Sequence, residues 1–314
     1  MHVVITGGSG LIGRALSRSL VADGHRVSVL SRSPDAVRLP QGVEARGWDG
    51  RTAAGWADLL EEADALVNLA GENLAGTGVL PEGWSAGRKA LLRESRVAAG
   101  QAVIEALTIA TRRPGVLVQA SGVGYYGPHA DEALDERSPP GRDFLAQLSV
   151  DWERSTAAAE EELGLRRVVI RTGVVLSGDG GALPRLVLPY RLFVGGPLGS
   201  GRQWVPWIHL ADEVAAIRFL IDELRARGPF NLAAPNPVTN AALGQSLGRV
   251  LGRPSLLPAP AFVLRAVMGE VADVVLTGQR AVPAALEALG FRFRFPVLEP
   301  ALRDLLTPGR EAAA

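Results

Sequence analysis

The residues whose chemistry is easiest to identify lie at the start of the chain, where glycines recur at every third position. An apolar run over residues 3–5 leads into Gly7, Gly10 and Gly13, and a helical pattern follows. In a strand–turn–helix unit the first glycine permits a tight turn, the second lets the backbone approach a pyrophosphate, and the third lets the helix pack on the strand. Free N–H groups at the helix N-terminus also favour an anion. We therefore expect a dinucleotide to be bound by this turn, through Thr6, Gly7, Gly10, Leu11, Ile12 and Gly13.

The residues after the second predicted strand bear on which dinucleotide binds. An acidic side chain at this position accepts from the ribose 2′-hydroxyl of NAD, whereas an arginine accommodates the 2′-phosphate of NADP. The chain has Ser31 and Arg32 here, which favours NADP over NAD; the alternative is a solvated loop arginine. Asp49, after the third predicted strand, could accept from the adenine amino group, or it could cap its own turn before Gly50.

Hydroxyl groups follow the fifth predicted strand, where Ser121 precedes Tyr125 and Tyr126. A serine can hydrogen-bond a reacting oxygen, and a phenol can act as acid or base where a cation lowers its pKa from about 10. The candidate cations lie on the helix predicted after the fourth strand: Arg88, Lys89 and Arg96. Tyr126 could instead be a packed aromatic residue whose hydroxyl is bonded to the backbone.

The turn after the fourth predicted strand supplies small residues and one carboxylate. The small residues suit backbone contact with the ribose of the cofactor: Asn68, Leu69, Ala70 and Gly71. Glu72 comes next and is an alternative general base. A solvated loop carboxylate is the other interpretation of Glu72.

These side chains can meet only if the strands before them are parallel neighbours. Apolar runs alternate with helical patterns, which predicts βαβ units and a parallel sheet with helices on both faces. The predicted strands span residues 3–6, 27–30, 43–45, 65–69, 116–120, 168–171 and 230–232, and the predicted helices span 11–23, 84–111, 144–163 and 211–227. Right-handed crossovers bring the carboxyl ends of such strands to one edge, so the candidate residues should converge on one crevice. The expected fold class is α/β, with a Rossmann-type doubly wound sheet.

Composition excludes several kinds of site and partner. The 314 residues include 33 basic and 33 acidic ones, so no overall field attracts nucleic acid or an anionic membrane. The chain has no cysteine and four scattered histidines, which excludes disulfides and disfavours a metal site. No apolar run approaches the length of about 18 residues that a membrane span needs, and the N-terminus begins with a strand rather than a leader. We expect a cytoplasmic protein with a small-molecule substrate, no bound metal, and neither nucleic acid nor a membrane as partner.

Several motifs taken together resemble the extended short-chain dehydrogenases/reductases, the superfamily that includes NAD(P)-dependent epimerases and dehydratases. The resemblance rests on the glycine turn, on residues 68–71, on Ser121 with residues 126–127, and on residues 199–203 and 207–212. Residues 70–73, 88–89, 95–96, 124–127, 171–176 and 278–280 are more narrowly similar to an "epimerase family" subgroup of atypical members with a C-terminal domain of unknown function. The resemblance implies an NADP-binding domain to which Arg171, Gly173 and Val174 contribute. It also implies a homodimer formed through the helices after the fourth and fifth strands.

The usual catalytic pair of this superfamily is missing. Its members carry Tyr-x-x-x-Lys on the helix after the fifth strand, with the tyrosine as acid or base and the lysine lowering its pKa. Aligning that helix on Phe144 places Leu148 at the lysine position, and aligning it on Glu153 places Leu145 and Ser149 at the two positions. No register supplies both groups, so an active enzyme must use other residues. The candidates are Ser121, Tyr125, Tyr126 and Glu72.

The region expected to meet the substrate also departs from the pattern of nucleotide-sugar enzymes, in which an arginine before an Ile-His pair binds phosphate. This chain has Val205 and Pro206 in that place. Arg202 could take over the phosphate, or it could be a turn residue. Trp204 and Trp207 suggest an apolar wall, which would suit a smaller or more apolar ligand.

Domain organisation is expected to follow a change in composition. Residues 1–235 are predicted to form the NADP-binding Rossmann domain, with an excursion over about 178–205 into the substrate region, and residues 236–306 a small, mainly helical C-terminal domain. Alternating phenylalanine and arginine predict a short strand over residues 291–295, and the chain beyond Leu306 is expected to fray. His209, followed by Asp212, is expected to order the start of a helix rather than to transfer protons.

Two functions from different classes fit these residues. In the first, the protein is an NADP-dependent oxidoreductase or epimerase that acts on an unidentified small carbonyl or hydroxyl substrate. In the second, the missing tyrosine and lysine mark a catalytically inactive NADP(H)-binding sensor or scaffold. Placement of Glu72, Tyr125 and Tyr126 deep in the crevice would favour the enzyme, and an exposed apolar patch on the C-terminal region would favour the scaffold.

Overall fold

The computed structural model describes residues 1–76, 78 and 82–307, and its strands and helices alternate along the chain. The strands are β1 (His2–Thr6), β2 (Arg26–Ser31), β3 (Val43–Gly47), β4 (Ala65–Asn68), β5 (Val116–Gly122), β6 (Ala133–Leu134), β7 (Arg166–Thr172), β8 (Val174–Leu176), β9 (Trp204–Val205), β10 (Trp207–His209), β11 (Gly228–Leu232), β12 (Val238–Thr239) and β13 (Arg280–Ala281). The helices are α1 (Leu11–Ala22), α2 (Ala86–Ile109), α3 (Phe144–Arg154), α4 (Ala158–Glu161), α5 (Leu183–Arg191), α6 (Leu210–Asp222), α7 (Asn240–Leu251), α8 (Ala261–Met268), α9 (Asp273–Leu276), α10 (Ala284–Ala288) and α11 (Leu298–Leu306).

Seven strands form one sheet in the order β11-β7-β5-β4-β1-β2-β3. Every neighbouring pair is parallel. The chain starts in the middle of the sheet, winds to the β3 edge, returns to β4 beside β1, and continues to the other edge. Ligands bind at such a reversal, outside the carboxyl ends of the strands. The predicted α/β fold class is therefore confirmed, and the crevice lies where β1 and β4 meet.

The two faces of the sheet bury different helices because successive side chains of a strand point to opposite sides. On one face Val3 and Ile5 pack in a cluster with Leu16 of α1 and Ile217 of α6. On the other face Val4 belongs to a cluster with residues of α2. The central strands are buried on both sides, so they read as continuous apolar runs, and this pattern made them predictable.

Three short strand pairs lie outside the main sheet: β8 with β10, β9 with β12, and β6 with β13. They hold the segments that follow β5, β7 and β11 against the carboxyl edge of the sheet. A third apolar cluster joins α5, α7 and α11 to β10 beyond these pairs. The division of the chain into an NADP-binding domain over residues 1–235 and a C-terminal domain over residues 236–306 stays a prediction.

Some predicted elements differ in the structure. The helix expected over residues 144–163 is broken, because α3 ends at Arg154 and α4 begins at Ala158. The strand expected over 291–295 is absent from the described chain. The backbone N–H groups of Arg294 and Phe295 donate instead to the Asp212 carboxylate, each at 2.8 Å. The end of the chain, for which fraying was expected, lies outside the described residues after Thr307.

Candidate active site

The glycine turn has the geometry that a phosphate-binding turn requires. Gly7 adopts a φ of 65°, and a Cβ at this position would lie 2.6 Å from the carbonyl of Leu69. A Cβ on Gly13 would lie 2.5 Å from the Cα of Gly8, so the close packing predicted for Gly13 is present. Gly10 precedes α1, no side chain caps this helix start, and its first turn carries no acidic residue. The helix N-terminus therefore presents free donors to an anion.

Two predicted cofactor residues, Thr6 and Asn68, are buried below the crevice. The side chains of Thr6 and Asn68 are fully buried, and Thr6 Oγ1 donates to Asn68 Oδ1 at 2.5 Å. Asn68 Nδ2 donates to Gln119 Oε1 at 2.8 Å, and Thr6 Oγ1 accepts from the N–H of Ala70. This buried chain of hydrogen bonds ties β1, β4 and β5 together and fixes the turn after β4, so these two side chains are committed to the protein.

The first of two cavities extends from the glycine turn over the ends of β2 and β4 and has a volume of about 510 Å³. It is lined by half of the predicted dinucleotide residues: Gly7, Gly10, Ser31, Arg32, Asp49, Leu69, Ala70 and Gly71. Asp49 caps its own turn, accepting from the N–H groups of Arg51 and Thr52 at 2.8 and 2.9 Å. Of the two interpretations of Asp49, the turn cap is therefore observed.

Glu72 lines this first cavity and not the second, and its role as an alternative base stays a prediction. Arg32 Nη2 lies 3.2 Å from Glu72 Oε1, and the Arg32 side chain is 73% exposed. The turn after β4 directs Glu72 towards the end of β2, because its N–H is bonded to Ser95 and its carbonyl to Arg96 on α2. Arg32 is thus held at the cavity mouth by a carboxylate.

The second cavity lies beyond the carboxyl ends of β5 and β7 and has a volume of about 490 Å³. It is lined by Ser121, Gly173, Val174 and Trp204, which were predicted to serve catalysis, the cofactor and the substrate. Its walls are mainly apolar and include further residues of α3, α5, α7 and α9: Phe144, Leu145, Leu148, Ser149, Trp152, Leu186, Leu243 and Val274. Leu145 and Ser149, which one register places at the tyrosine and lysine positions, both face this cavity.

Tyr126 does not reach either cavity, so its predicted role as acid or base is wrong. Its side chain is fully buried, and its hydroxyl donates to Asn231 Oδ1 at 2.7 Å and accepts from Arg171 Nη1 at 3.1 Å. Burial raises the pKa of Tyr126 to about 12, although Arg171 opposes this shift. The Tyr125 ring packs against the Arg171 guanidinium, 3.4 Å from ring centroid to carbon, and is also absent from the residues that line the cavities.

Arg171 is a buried partner of a carboxylate, and the prediction that it contacts the cofactor is wrong. Its Nε and Nη2 donate to the two oxygens of Glu153, at 2.9 and 3.0 Å. Burial by itself lowers the pKa of Arg171, but the hydrogen-bonded carboxylate of Glu153 outweighs burial, and the pKa lies above its usual range. Ser121 Oγ donates to the same carboxylate, to Oε1 at 2.7 Å. A hydroxyl in the wall of the second cavity is therefore connected to an ion pair whose arginine is buried and whose carboxylate is half-buried.

Glu153, which is bonded to Ser121, was not among the candidates that the sequence suggested. It lies one helical turn after Ser149 on α3, and residues four apart share a helix face. The signal was thus a carboxylate in register with two residues that face the cavity. Its partner Arg171 comes from β7, however, and only the sheet order β5-β7 brings Ser121 and Arg171 side by side.

Arg96 is the cation in the wall of the second cavity, and it does not meet the tyrosines. It is 6% exposed, donates to the carbonyls of Leu92 and Glu72, and lies 4.7 Å from the Trp152 ring. Burial lowers the pKa of Arg96 to about 10, so the group is charged at neutral pH. The other candidate cations of α2 are engaged elsewhere: Arg88 donates to the carbonyl of Asn73, and Lys89 pairs with Glu270.

The predicted substrate residues separate into one that lines the cavity and two that do not. Trp204 lines the second cavity and donates from Nε1 to Asp131 at 2.9 Å. Trp207 is fully buried in the core, which removes it from the predicted apolar wall, and Arg202 is exposed to solvent outside the lining residues, so its contact with the substrate stays a prediction. Val205 and Pro206 line the cavity. They stand at the place where nucleotide-sugar enzymes carry a phosphate-binding arginine.

His209 orders a helix start, as expected. Its Nδ1 accepts from the N–H of Ala211 at 3.0 Å, and its ring stacks on Phe295 at 4.0 Å. Within residues 1–76, 78 and 82–307, no group of acidic or histidine side chains could hold a metal ion. In the same residues, no helix is long and apolar enough to span a membrane.

Comparisons with known proteins agree with this architecture. The model of the NAD dependent epimerase/dehydratase family matches residues 3–233, and a domain of unknown function, DUF1731, matches residues 259–305. The chain is 43% identical over 303 residues to the epimerase family protein Mb2239 of Mycobacterium bovis, covering 96% of each chain. It is 39% identical over 311 residues to the chloroplastic epimerase family protein SDR39U1 homolog of Arabidopsis thaliana, covering 98% of this chain and 87% of the relative.

A solved structure agrees as well. The crystal structure of the human epimerase family protein SDR39U1 (isoform 2) with NADPH superposes with a TM-score of 0.84 at 35% identity, covering 97% of this chain and 99% of the other. The family model covers the sheet and the crevice, and the relatives match over nearly their whole length. The chain therefore belongs to the NAD dependent epimerase/dehydratase family.

Proposed function

We propose that the protein is an NADP(H)-dependent oxidoreductase or epimerase that acts on the carbonyl or hydroxyl group of a small, largely apolar substrate. The observation that carries this proposal is the bond to the half-buried Glu153 carboxylate from Ser121 Oγ, which lies in the wall of an apolar cavity at the carboxyl edge of the sheet. This pair offers a route for a proton in a family member that lacks the usual tyrosine and lysine.

The residues present fit a dinucleotide phosphorylated on the adenosine ribose. The glycine turn leaves no room for a Cβ at Gly7, and the start of α1 has uncapped donors for the pyrophosphate. Arg32, next to Ser31 at the end of β2, would meet the 2′-phosphate. The human relative was solved with NADPH, which supports the same choice. When bound, this cofactor would accept or supply a hydride.

The chain's own residues would manage the proton that accompanies the hydride. In oxidation, the substrate hydroxyl would give its proton to Ser121 Oγ while the Ser121 proton passes to Glu153 Oε1. In reduction, the proton would travel the opposite way, to the carbonyl oxygen. Arg171 would keep Glu153 in place and compensate its charge, so Arg171 is a positioning residue. Ser149 is not part of this route, because its hydroxyl donates to the carbonyl of Leu145 at 2.8 Å.

The walls of the second cavity would select the substrate by excluding highly charged compounds. Val205 and Pro206 replace the phosphate-binding arginine, and Phe144, Leu145 and Trp204 add apolar surface. A charged nucleotide group would lose its hydration here, which is costly, and Arg96, the cation in the wall, already donates to the carbonyls of Leu92 and Glu72. An aldehyde, ketone or quinone on an apolar body fits these walls.

The proposal is tested first by binding and then by turnover. Calorimetry with NADPH and NADH should show uptake of NADPH, and the absorbance of NADPH should then fall with a member of a panel of aldehydes, ketones and quinones. Ser121→Ala and Glu153→Gln should lower turnover about 100-fold or more, the usual contribution of general acid–base catalysis. Ser149→Ala is the matched control, since it removes a hydroxyl from the same cavity, and turnover should change little.

The same experiment distinguishes the enzyme from the alternative, an NADP(H)-binding sensor or scaffold. Uptake of neither dinucleotide would refute the proposal. Tight binding of NADPH without turnover of any panel member would favour the NADP(H)-binding sensor or scaffold. An exposed apolar patch on the C-terminal region, the feature expected of a scaffold, is present in the structure.

A further inference from the structure

The exposed apolar patch is formed by two segments that run side by side. One follows α5, and the other leads into α8. The N–H groups of Leu256 and Leu257 both donate to the carbonyl of Gly195, at 3.0 and 3.1 Å, and Gly199 donates to the carbonyl of Ala259 at 2.8 Å. We call this the α5–α8 surface; its exposed apolar residues are Leu188, Leu192, Phe193, Val194, Leu256, Leu257, Phe262, Val263 and Val267.

Nothing in the described chain covers this surface. Helix α8 contributes no buried residue although it is strongly apolar. Leu256 is 78% exposed and Phe262 is 75% exposed. Soluble monomers rarely expose a contiguous apolar patch of this kind, and such patches mark protein or membrane contacts.

Phe193 indicates that the exposure is maintained at a cost. It is the one non-glycine residue with a positive φ, 62°, in residues 1–76, 78 and 82–307, and its ring is 57% exposed. A bulky residue in this conformation is strained, and such strain persists where the presented side chain has a use. The Arg253 guanidinium lies 4.3 Å from the ring, so a cation accompanies the exposed phenyl group.

The charge around the α5–α8 surface indicates what kind of partner binds there. The chain as a whole is neutral, yet residues 180–211 and 240–269 contain six arginines and no Asp or Glu; of these arginines, Arg249 pairs with Glu299 of α11. Arg191 and Arg253 lie at the exposed apolar residues. The nearest acidic residues after α8 are Glu270, which pairs with Lys89, and Asp273, which pairs with Arg265. Apolar side chains fringed by arginine match an anionic lipid surface, where apolar groups enter the acyl boundary and cations meet the headgroups.

We propose that the α5–α8 surface docks the protein on the surface of an anionic lipid bilayer. The balanced net charge led us to expect no membrane partner, but charge balance over the whole chain does not exclude a local basic and apolar patch. Leu198, in the segment after α5, also lines the second cavity, as do Leu186 of α5 and Val274 of α9. If the proposed function holds, docking would place that apolar cavity beside a source of apolar substrate; the docking itself does not depend on the proposed function.

The test is flotation of the full chain with vesicles of phosphatidylcholine and phosphatidylglycerol in equal parts, beside vesicles of phosphatidylcholine alone. The protein should float with the mixed vesicles, and added salt should weaken its binding. Phe193→Gly with Phe262→Ser should lower the partition coefficient about tenfold or more, since one buried phenyl group contributes at least that much. Phe193→Gly relieves the backbone strain, so its unfolding midpoint should not fall.

Two further variants complete the design. Leu224→Ser removes an apolar residue that is 79% exposed elsewhere on the molecule and should leave flotation unchanged. Arg253→Glu should weaken binding to the mixed vesicles more than binding to phosphatidylcholine alone. Absence of flotation, or an equal loss in Leu224→Ser, would overturn the proposal. The proposal would also be overturned if light scattering showed that the parent chain is a dimer and that Phe193→Gly with Phe262→Ser is a monomer. In that case a second copy of the chain would cover the surface. No dinucleotide is needed, so this result is independent of cofactor binding and turnover.

Discussion

A buried carboxylate on α6 gives a prediction of how stability depends on pH. Glu213 is fully buried, its Oε1 accepts from Thr172 Oγ1 at 2.8 Å, and its Oε2 has no partner among the described residues. Burial raises the pKa of Glu213 from 4.5 to about 8, and the hydrogen bond from Thr172 opposes this only in part. The folded chain therefore holds a proton that the unfolded chain has already released.

The sign and size of the effect follow from this difference in bound protons. Below the unfolded pKa both states carry the proton, and the contribution of Glu213 to stability is fully present. Between the two pKa values the unfolding free energy falls by about 1.4 kcal/mol for each pH unit. At about pH 7 the loss is about 3 kcal/mol. A neutral side chain of the same shape at position 213 should abolish this loss of stability.

Glu213→Gln is that change. Its amide oxygen can still accept from Thr172, and it carries no charge at any pH. We expect the variant to be about 2–3 kcal/mol more stable than the parent near neutral pH. Below the unfolded pKa of Glu213 the two proteins should differ by less than about 1 kcal/mol, because the amide brings an extra unpaired N–H.

Urea unfolding followed by tryptophan fluorescence over a range of pH measures this difference. Glu287→Gln, which changes an exposed carboxylate on α10, is the matched control, and its curve should run parallel to that of the parent. The reasoning is refuted if Glu213→Gln is no more stable than the parent at neutral pH, or if the two stability profiles are parallel. Either result would mean that Glu213 is ionised in the folded protein.

Three further predictions concern the crevice. Tyr126→Phe should lower the unfolding free energy by about 1–3 kcal/mol, because it deprives Asn231 and Arg171 of a buried partner. Calorimetry should show that the NADPH affinity of this variant is unchanged. Weaker NADPH binding with no loss of stability would contradict the buried position of Tyr126. Glu72→Gln should tighten NADPH binding about three- to tenfold and leave NADH unaffected, since it frees Arg32 and removes a carboxylate from the expected phosphate position. Glu94→Gln, in the same cavity, is its control, and equal gains for both dinucleotides would show that Glu72 does not face the phosphate. Gly13→Ala should cost more than about 2 kcal/mol in thermal unfolding and abolish NADPH uptake, because its Cβ would press on the backbone of Gly8. Gly87→Ala, whose Cβ meets nothing within 4 Å, should instead be neutral or slightly stabilising; equal effects of the two changes would contradict the packing role of Gly13.

Two buried aromatic residues, Tyr126 and Trp207, show why side-chain roles were harder to predict than backbone elements. Tyr126 was singled out because a phenol near a crevice suggests acid–base chemistry, and Trp207 because an indole there suggests an apolar wall. Whether such a ring faces a cavity or the core depends on contacts with residues far along the chain. Asn231, which fixes the Tyr126 hydroxyl, lies 105 residues away.

Local pattern was sufficient for the architecture. The glycine spacing and the apolar runs specify the turn and the strands, because a tight turn needs glycine and a strand buried on both faces must be apolar throughout. The alternation of strand and helix, with right-handed crossovers, then leaves few sheet orders to choose from. The absence of the tyrosine and lysine pair was likewise visible in the sequence, since both would lie within one helix.

By itself, then, the sequence determined the α/β class, the dinucleotide turn, the family and the missing catalytic pair, all of which depend on residues close together in the chain. Only the tertiary structure decided that Glu72 faces Arg32, that Ser121 is bonded to Glu153, and that the α5–α8 surface is exposed. These features join β5 to α3 and β7, the turn after β4 to the end of β2, and the segment after α5 to the start of α8. Each depends on the direction of side chains across separate elements, which packing sets and spacing along the chain does not.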